Sequence, residues 1–263
     1  MSNGVLLRVR DVVVEREGRT ICCVESLDVA PGQHWAVIGA NGSGKSTLLS
    51  VLAARLWPSS GTVDLLGERV GRTDLRALRG RLGLLSSSLT RQLREQLETH
   101  DVVVTGRDGA LEPWWTTYSE EDHRRADAIL AHLGLHGSER RDLASLSEGE
   151  RTTVMLARVL MAEPEVLLLD EPASGLDLGA RERLLGLLDT LAQEGETPRV
   201  MVSHHLEELP ASTSHAIVFK SGSVIAQGAA EDVITSGVIS EAFDVDVTVE
   251  RLSHGRYVVH AKS

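Results

Sequence analysis

The stretch His34-Trp35-Ala36-Val37-Ile38-Gly39-Ala40-Asn41-Gly42-Ser43-Gly44-Lys45-Ser46-Thr47 decides the fold. Trp35 to Ile38 is a short apolar run that reads as a buried strand, and it breaks at Gly39. After Gly44, the spacing of Thr47, Leu48, Leu49, Val51 and Leu52 reads as a helix with one apolar face. Between them stands Gly39-x-x-x-x-Gly44-Lys45-Ser46, the P-loop spacing in the strand–loop–helix context that gives it meaning. Glycines let the backbone fold tightly enough for successive N–H groups to converge on phosphate oxygens. The helix N-terminus adds its partial positive charge. In this pattern Gly39, Asn41, Gly42, Ser43, Gly44 and Thr47 belong to the phosphate cradle, Lys45 reaches the β- and γ-phosphates, and Ser46 ligates Mg²⁺. The pattern implies a nucleoside triphosphate.

A chain of 263 residues can bury a sizeable core, as one large domain or a core with a subdomain. The net charge of −11, with no basic stripe to offset it, argues against direct nucleic-acid binding. Cys22 and Cys23 are adjacent, with no second pair and no histidine at ligand spacing. They read as small residues of a strand in a reducing compartment, one facing inward, and zinc is not expected. No apolar run approaches 18 residues and the N-terminus lacks a signal-like apolar region. A membrane role is therefore expected to come through a partner.

Upstream of the P-loop, residues 5–14 and 20–30 read as strands about a turn at Glu17-Gly18, and Pro31-Gly32 turns the chain into the next strand. The P-loop helix is expected to run to Leu56, stopped by Pro58-Ser59-Ser60-Gly61. Strands follow at 62–66 and 81–86, then helices at roughly 93–105, at 120–133 with Ser119 as N-cap, and from Ser147. Strands 166–169, 199–203 and 215–219 and a helix over 180–194 resume the core. A hairpin around Ser221-Gly222 and a tail of one short helix and two strands, 246–251 and 256–260, complete it.

Val166-Leu167-Leu168-Leu169-Asp170-Glu171-Pro172 is a second motif. Its apolar run suits a central parallel strand, and two carboxylates stand at the carboxyl end, where open α/β sheets bind ligands. Asp170 is expected to hold Mg²⁺, through water, and Glu171 to orient or deprotonate the attacking water. The third motif is Leu146-Ser147-Glu148-Gly149-Glu150. Ser147 and Glu150 fit a capping box, which leaves Gly149 unexplained.

With Ser174-Gly175-Leu176-Asp177 after the paired acids and Val202-Ser203-His204-His205 further on, the five elements resemble, in order and spacing, the nucleotide-binding cassette of ABC ATPases. The resemblance spans about residues 5–235. It implies an α/β P-loop NTPase fold: a RecA-like core with an antiparallel β subdomain, and an α-helical subdomain at about 87–163. It further implies a cassette over 1–237 and a short extension over 238–263, similar to that of iron–siderophore, cobalamin and molybdate-type importer cassettes. The activity it implies is Mg-dependent ATP hydrolysis by a head-to-tail homodimer with two ATP molecules at the seam. Ser147 and Gly149 would meet the γ-phosphate bound by the opposite subunit, Asp177 would lie at the seam, and His204 would contact the γ-phosphate. Lys45, Glu171 and His204 would carry catalysis. Permease subunits would hold the protein on the cytoplasmic face of the cell membrane.

The sequence departs from the family pattern in three places. Ser87 stands where a glutamine usually touches Mg²⁺ and the transport partner, and serine would reach the metal only through water. The adenine-stacking position before the P-loop offers Arg16 in place of an aromatic residue, which leaves ATP against GTP open. Glu148 and Glu150 replace a glycine and a glutamine, putting two acids near a phosphate unless Glu150 is tied to the cap. The aromatic cluster Pro113-Trp114-Trp115-Thr116-Thr117-Tyr118 could form a docking face or pack the insert onto the core. The leading expectation is the ATPase subunit of an importer for a metal-bearing or anionic small molecule. The alternative is an ABC-type ATPase without a permease, acting as a regulator or in nucleic-acid maintenance, which the serines at 86–88 would favour.

Overall fold

The computed structural model describes residues 4–262, except the side chains of Ser87, Ser88 and Trp115. The chain opens with a hairpin, β1 (Leu7–Arg16) and β2 (Arg19–Val29), whose alternating burial marks sheets with one face on a core. β3 (His34–Gly39) is buried at all six positions, as a central parallel strand must be. The P-loop leads into α1 (Lys45–Leu52). Next come β4 (Ser60–Leu65), β5 (Glu68–Arg69), α2 (Leu75–Gly80) and β6 (Leu82–Ser86). The helical region holds α3 (Ser87–Thr90), α4 (Thr99–Val104), α5 (Glu120–His132) and α6 (Glu148–Met161). β7 (Val166–Asp170), α7 (Leu178–Glu194), β8 (Arg199–Ser203), β9 (His215–Lys220) and β10 (Ser223–Ala229) return to the core. The tail is α8 (Ala230–Val233), α9 (Ser236–Phe243), β11 (Val247–Arg251) and β12 (Tyr257–Ala261).

One ten-stranded sheet runs β5-β4-β1-β2-β10-β9-β3-β8-β7-β6. Its half from β9 to β6 is parallel, and the β1–β2–β4–β5 end is antiparallel. Register sets the site: Ser86 lies opposite Asp170, Asp170 opposite Val202, and Ile38 opposite Ser203. The carboxyl ends of β6, β7, β8 and β3 thus form one rim, with the P-loop rising from it. α1 packs on one face of this sheet among Leu48, Leu49, Val51 and Leu52. The insert builds a core of its own from Val102, Leu130, Leu156 and neighbours, joined to β6, β7 and α7. The tail packs Ile239, Val247 and Tyr257 against Ala36, Ile38 and Val218 of β3 and β9.

Three local expectations need correction. α1 ends at Leu52, four residues before Leu56, because Ala54 takes a left-handed φ of 52° and turns the chain. The sequence pattern does not predict α2: Leu78 is its only buried residue, too thin a pattern to read as an apolar face. Residues 93–98 are bends and turns that end in an isolated bridge from Glu98 to Asp142, and the helix expected from 93 starts at Thr99. Leu93 and Leu97 have helical spacing and are buried, but the backbone here bonds elsewhere. Leu143 N donates to Leu97 O, Ala144 N to Glu95 O and Thr99 N to Arg141 O. Of the adjacent cysteines Cys22 faces inward, and burial pushes its thiol up to about 12, leaving it protonated.

Arg158 holds the insert together. It is 3% exposed, and its guanidinium donates to Val102 O at 2.8 Å, to Ala110 O at 2.7 Å and to the Thr105 hydroxyl. Replacing it takes the guanidinium away from the Ala110 carbonyl and the Thr105 hydroxyl and leaves Val102 O with the Thr105 hydroxyl alone, at 3.0 Å, each lost bond to a buried group costing about 1–3 kcal/mol. Arg158→Leu is expected to lower the unfolding free energy by about 3 kcal/mol in a urea titration.

Candidate active site

The P-loop is shaped by close approach. At Gly39, with φ 152°, a Cβ would stand 2.5 Å from Phe219 O and 2.7 Å from Ser43 Oγ. At Gly44, with φ 107°, it would stand 2.6 Å from Ile21 O. The loop is clamped from the β9–β10 turn, where Gly222 N donates to Ser43 O at 3.0 Å. Asn41 and Gly42 form its exposed tip, whereas Ser43 is buried and its hydroxyl has no hydrogen-bond partner. Such a buried hydroxyl fits a loop that offers donors to phosphate oxygens. Gly44 caps α1 with no side chain closing its first N–H groups, and Thr47 sits half-buried in its first turn.

Lys45, 4% exposed, donates from Nζ to Gly39 O at 2.8 Å and Ala40 O at 2.9 Å. Burial pulls its ammonium below the usual lysine range, and Glu171 and Asp170 oppose that shift. Ser46 Oγ donates to Asp170 Oδ1 at 3.0 Å. Burial holds the Asp170 carboxyl above the usual carboxylate range; the Ser46 hydrogen bond opposes this, Glu171 adds to it, and Lys45 opposes it. A hydroxyl and a carboxylate oxygen in contact are the hard donors Mg²⁺ takes when phosphates complete its shell. Among the described residues no group of three or more His, Cys, Asp or Glu side chains could hold a metal, so an all-protein cage is not what this site offers. The Ser87 backbone opens α3; its side chain, expected to reach the metal through water, lies outside the described residues.

Glu171 follows β7 in the left-handed region, φ 47°, held by Glu171 N to Val202 O at 3.1 Å and by Ser174 N to Glu171 O at 3.1 Å. Strain of this kind costs about 1–3 kcal/mol and marks functional turns. It brings Glu171 Oε1 to 3.1 Å from His204 Nδ1, an ion-pair distance whose angle does not make a hydrogen bond. His204 is half-buried and its ring lies 4.1 Å from that of His205. Lys45, Ser46, Asp170, Glu171 and His204 therefore meet at one rim. Nothing in the local sequence signals the strained φ at Glu171 or the orphaned Ser43 hydroxyl. Arg16 is exposed at the end of β1 and paired across the hairpin with Arg19.

Ser147 and Gly149 lie elsewhere. Ser147 caps α6 in a complete capping box: Glu150 N donates to Ser147 Oγ, and Ser147 N donates to Glu150 Oε2 at 2.8 Å. Arg141 donates to Glu150 Oε1 at 2.7 Å, so Glu150 is tied to the cap and held below the usual carboxylate range. Ser147 and Gly149 line a pocket of about 470 Å³ with Ala180 and Arg183, and no P-loop or β7 residue lines it. Glu148 lines another cleft, of about 450 Å³, beside Asp170 and Glu171. Asp177 is exposed and caps α7, accepting from Ala180 N at 2.7 Å. Of the aromatic cluster, Tyr118 is buried and donates to Asp108 at 3.0 Å, whereas Trp114 is 61% exposed. The Trp115 side chain lies outside the described residues.

The family described as ABC transporter matches residues 25–174. The chain belongs to the ABC transporter family. It is 32% identical to an uncharacterized ABC transporter ATP-binding protein of Bacillus subtilis (strain 168), covering 93% of both chains. It is 26% identical to the petrobactin import ATP-binding protein of the same organism, over 97% of this chain and 99% of that one. A solved structure described as a metal-chelate type ABC transporter, inward-facing, matches with a TM-score of 0.79 at 24% identity, covering 99% of each chain. An ATP-binding cassette solved as a dimer with ADP and Pi matches with a TM-score of 0.73 at 23% identity, over 85% of this chain and 98% of that one. The cassette binds ATP and hydrolyses it to power transport. Among the described residues no helix is long and apolar enough to cross a membrane.

Gly149 has a reason that capping does not supply. A Cβ there would stand 2.5 Å from Ala180 Cβ, so only glycine lets α6 meet the start of α7. Gly149→Val is expected to cost about 1–3 kcal/mol in urea unfolding and to reduce ATP turnover through displacement of Ala180 and Asp177.

Proposed function

We propose that this cassette works as a head-to-tail homodimer whose ATP site is completed by the partner copy, and that it drives import of a metal-bearing or anionic small molecule through separate permease subunits. The observation carrying this is the division of the site: the P-loop, Asp170, Glu171 and His204 share one rim, and Ser147 and Gly149 line a different pocket. The seam would run past Asp177, beside which Leu178 is 66% exposed, an apolar side chain at the start of a helix that a second subunit would cover.

In each site Gly39, Asn41, Gly42, Ser43, Gly44 and Thr47 surround the phosphates, and Lys45 neutralises the β- and γ-oxygens. Ser46 and Asp170 would hold Mg²⁺, with Ser87 a candidate through water; the metal would supply positive charge to offset that of the phosphates. Glu171 accepts the proton of the attacking water. His204, 3.1 Å away, stands beside that carboxylate and meets the γ-phosphate. Ser147 and Gly149 of the other copy close over the γ-phosphate, and Arg16 stacks on the base.

The extent of the match to an import ATP-binding protein and to a metal-chelate type transporter chain supports the cargo class. It also favours the transporter over the permease-free alternative, whose support is the serine series at 86–88. Residues 86–118, with exposed Trp114 under Arg94 at 5.0 Å, are the proposed docking face, holding the protein at the cytoplasmic side of the membrane.

Glu171→Gln is expected to reduce phosphate release by about a hundredfold or more while leaving ATP binding intact, and to shift the protein to a dimer on sizing with Mg-ATP. Mg-ATP-trapped Glu171→Gln protein should recover a multi-spanning partner from native membranes, and Trp114→Ala in that background should lose it. Recovery of soluble partners alone would favour the regulator.

A further inference from the structure

The turn between β11 and β12 carries an arginine that the nucleotide site does not account for. Arg256, with 15% of its side chain exposed, donates from Nη1 to Glu182 Oε2 at 3.0 Å and from Nη2 to Glu182 Oε1 at 3.3 Å. The same Nη2 donates to Glu207 O at 2.6 Å. Glu182 sits in the second turn of α7, the helix that Asp177 caps. The guanidinium holds its carboxyl below the usual carboxylate range. Glu207 lies in the short turn Leu206–Glu208 that follows His204.

That turn is fixed on several sides. From within, Ser203 Oγ donates to Glu208 Oε2 at 2.6 Å and accepts from His205 N at 3.0 Å. From the tail, Val259 N donates to Glu207 Oε1 at 3.3 Å. Gly255, φ 89°, lets the tail's turn lie against Ala211, whose carbonyl a Cβ would meet at 3.3 Å. Further along the chain, Asp189 of α7 accepts from Ala211 N at 3.2 Å and Ser212 N at 2.8 Å; Arg256 adds the tie nearest His204, between the backbone of the 206–208 turn and the first half of α7. A planar fork bonded to both carboxylate oxygens has one orientation, so the Glu207 carbonyl is located relative to α7.

We propose that Arg256 is a positioning residue for ATP hydrolysis, tying the segment after His204 to α7 so that His204 stays beside Glu171. This rests on the roles given above to His204 and Glu171. It makes the C-terminal strand pair part of the hydrolytic machinery without touching nucleotide. Misplacing a group by a fraction of an ångström lowers turnover and leaves substrate binding largely unchanged.

The test is phosphate release by the full chain across ATP concentrations, below the unfolding midpoint of each variant. Arg256→Gln should lower kcat about tenfold with KM for ATP within about twofold, and Arg256→Lys should recover part of the loss. Because the effect runs through His204, Arg256→Gln added to His204→Ala should cost nothing further in single turnover. If Arg256→Gln does not fold, Glu182→Gln breaks the fork and leaves the bond to Glu207 O; it should lower kcat in the same direction by less. An unchanged kcat in the folded variant, or a full additional loss in the His204→Ala background, would overturn the proposal. Should His204→Ala itself turn over normally, the reading of His204 fails instead, and the two failures are told apart.

Discussion

The loop after β3 can exist only because residue 39 has no side chain. Gly39 passes so close to the end of β9 that a Cβ would overlap the Phe219 carbonyl, and Gly44 repeats the constraint against Ile21. With those two approaches made, the loop turns back on itself and Lys45 reaches its carbonyls. α1 then starts with its amide groups uncapped at the rim, and Ser46 falls against Asp170 of β7. The parallel register β3–β8–β7 does the rest, since it brings the next strand ends to the same height. The geometry of this rim is a consequence of backbone packing.

The electrostatics follow from that crowding. Asp170 and Glu171 are consecutive carboxylates; the first is penalised by burial, and the second stands on strained backbone. Lys45 lies between burial, which disfavours its charge, and the two acids, which favour it. A rim with two acids, one buried ammonium and open helix amides suits a bound pair of opposite charges, phosphate and divalent cation together, better than either alone. The strain at Glu171, about 1–3 kcal/mol, is sustained by backbone hydrogen bonds to Val202 and Ser174.

Most of this was legible in the sequence where chemistry and local pattern coincide. The continuous apolar runs of β3 and β7 and the alternation of β1 and β2 identify central and one-faced strands. Glycine spacing at 39 and 44 identifies the loop, and Ser147 with Glu150 the cap. What escaped depends on distant partners. Residues 93–98 have the leucine spacing of a helix, yet their backbone groups bond to residues 143–144, which no local window contains. α2 buries a single leucine. The left-handed Glu171 is set by its neighbours in β8, and the Arg256 fork joins residues far apart in sequence.

The two acids of the Leu146–Glu150 motif pose the sharpest question of charge, and their placement answers it. Glu150 spends its two oxygens on Ser147 and Arg141, so at the start of α6 it acts as a neutralised cap. Glu148 is turned toward the cleft beside Asp170 and Glu171, away from the pocket that Ser147 and Gly149 line. An anion approaching that pocket would thus meet the helix N-terminus and Arg183 with neither carboxylate free to repel it. Gly149 is fixed for a separate reason, its contact with Ala180, and that contact carries the position of α6 to Asp177 at the start of α7. The surface that would close over a nucleotide and the residue that would line the seam are therefore packed directly against each other.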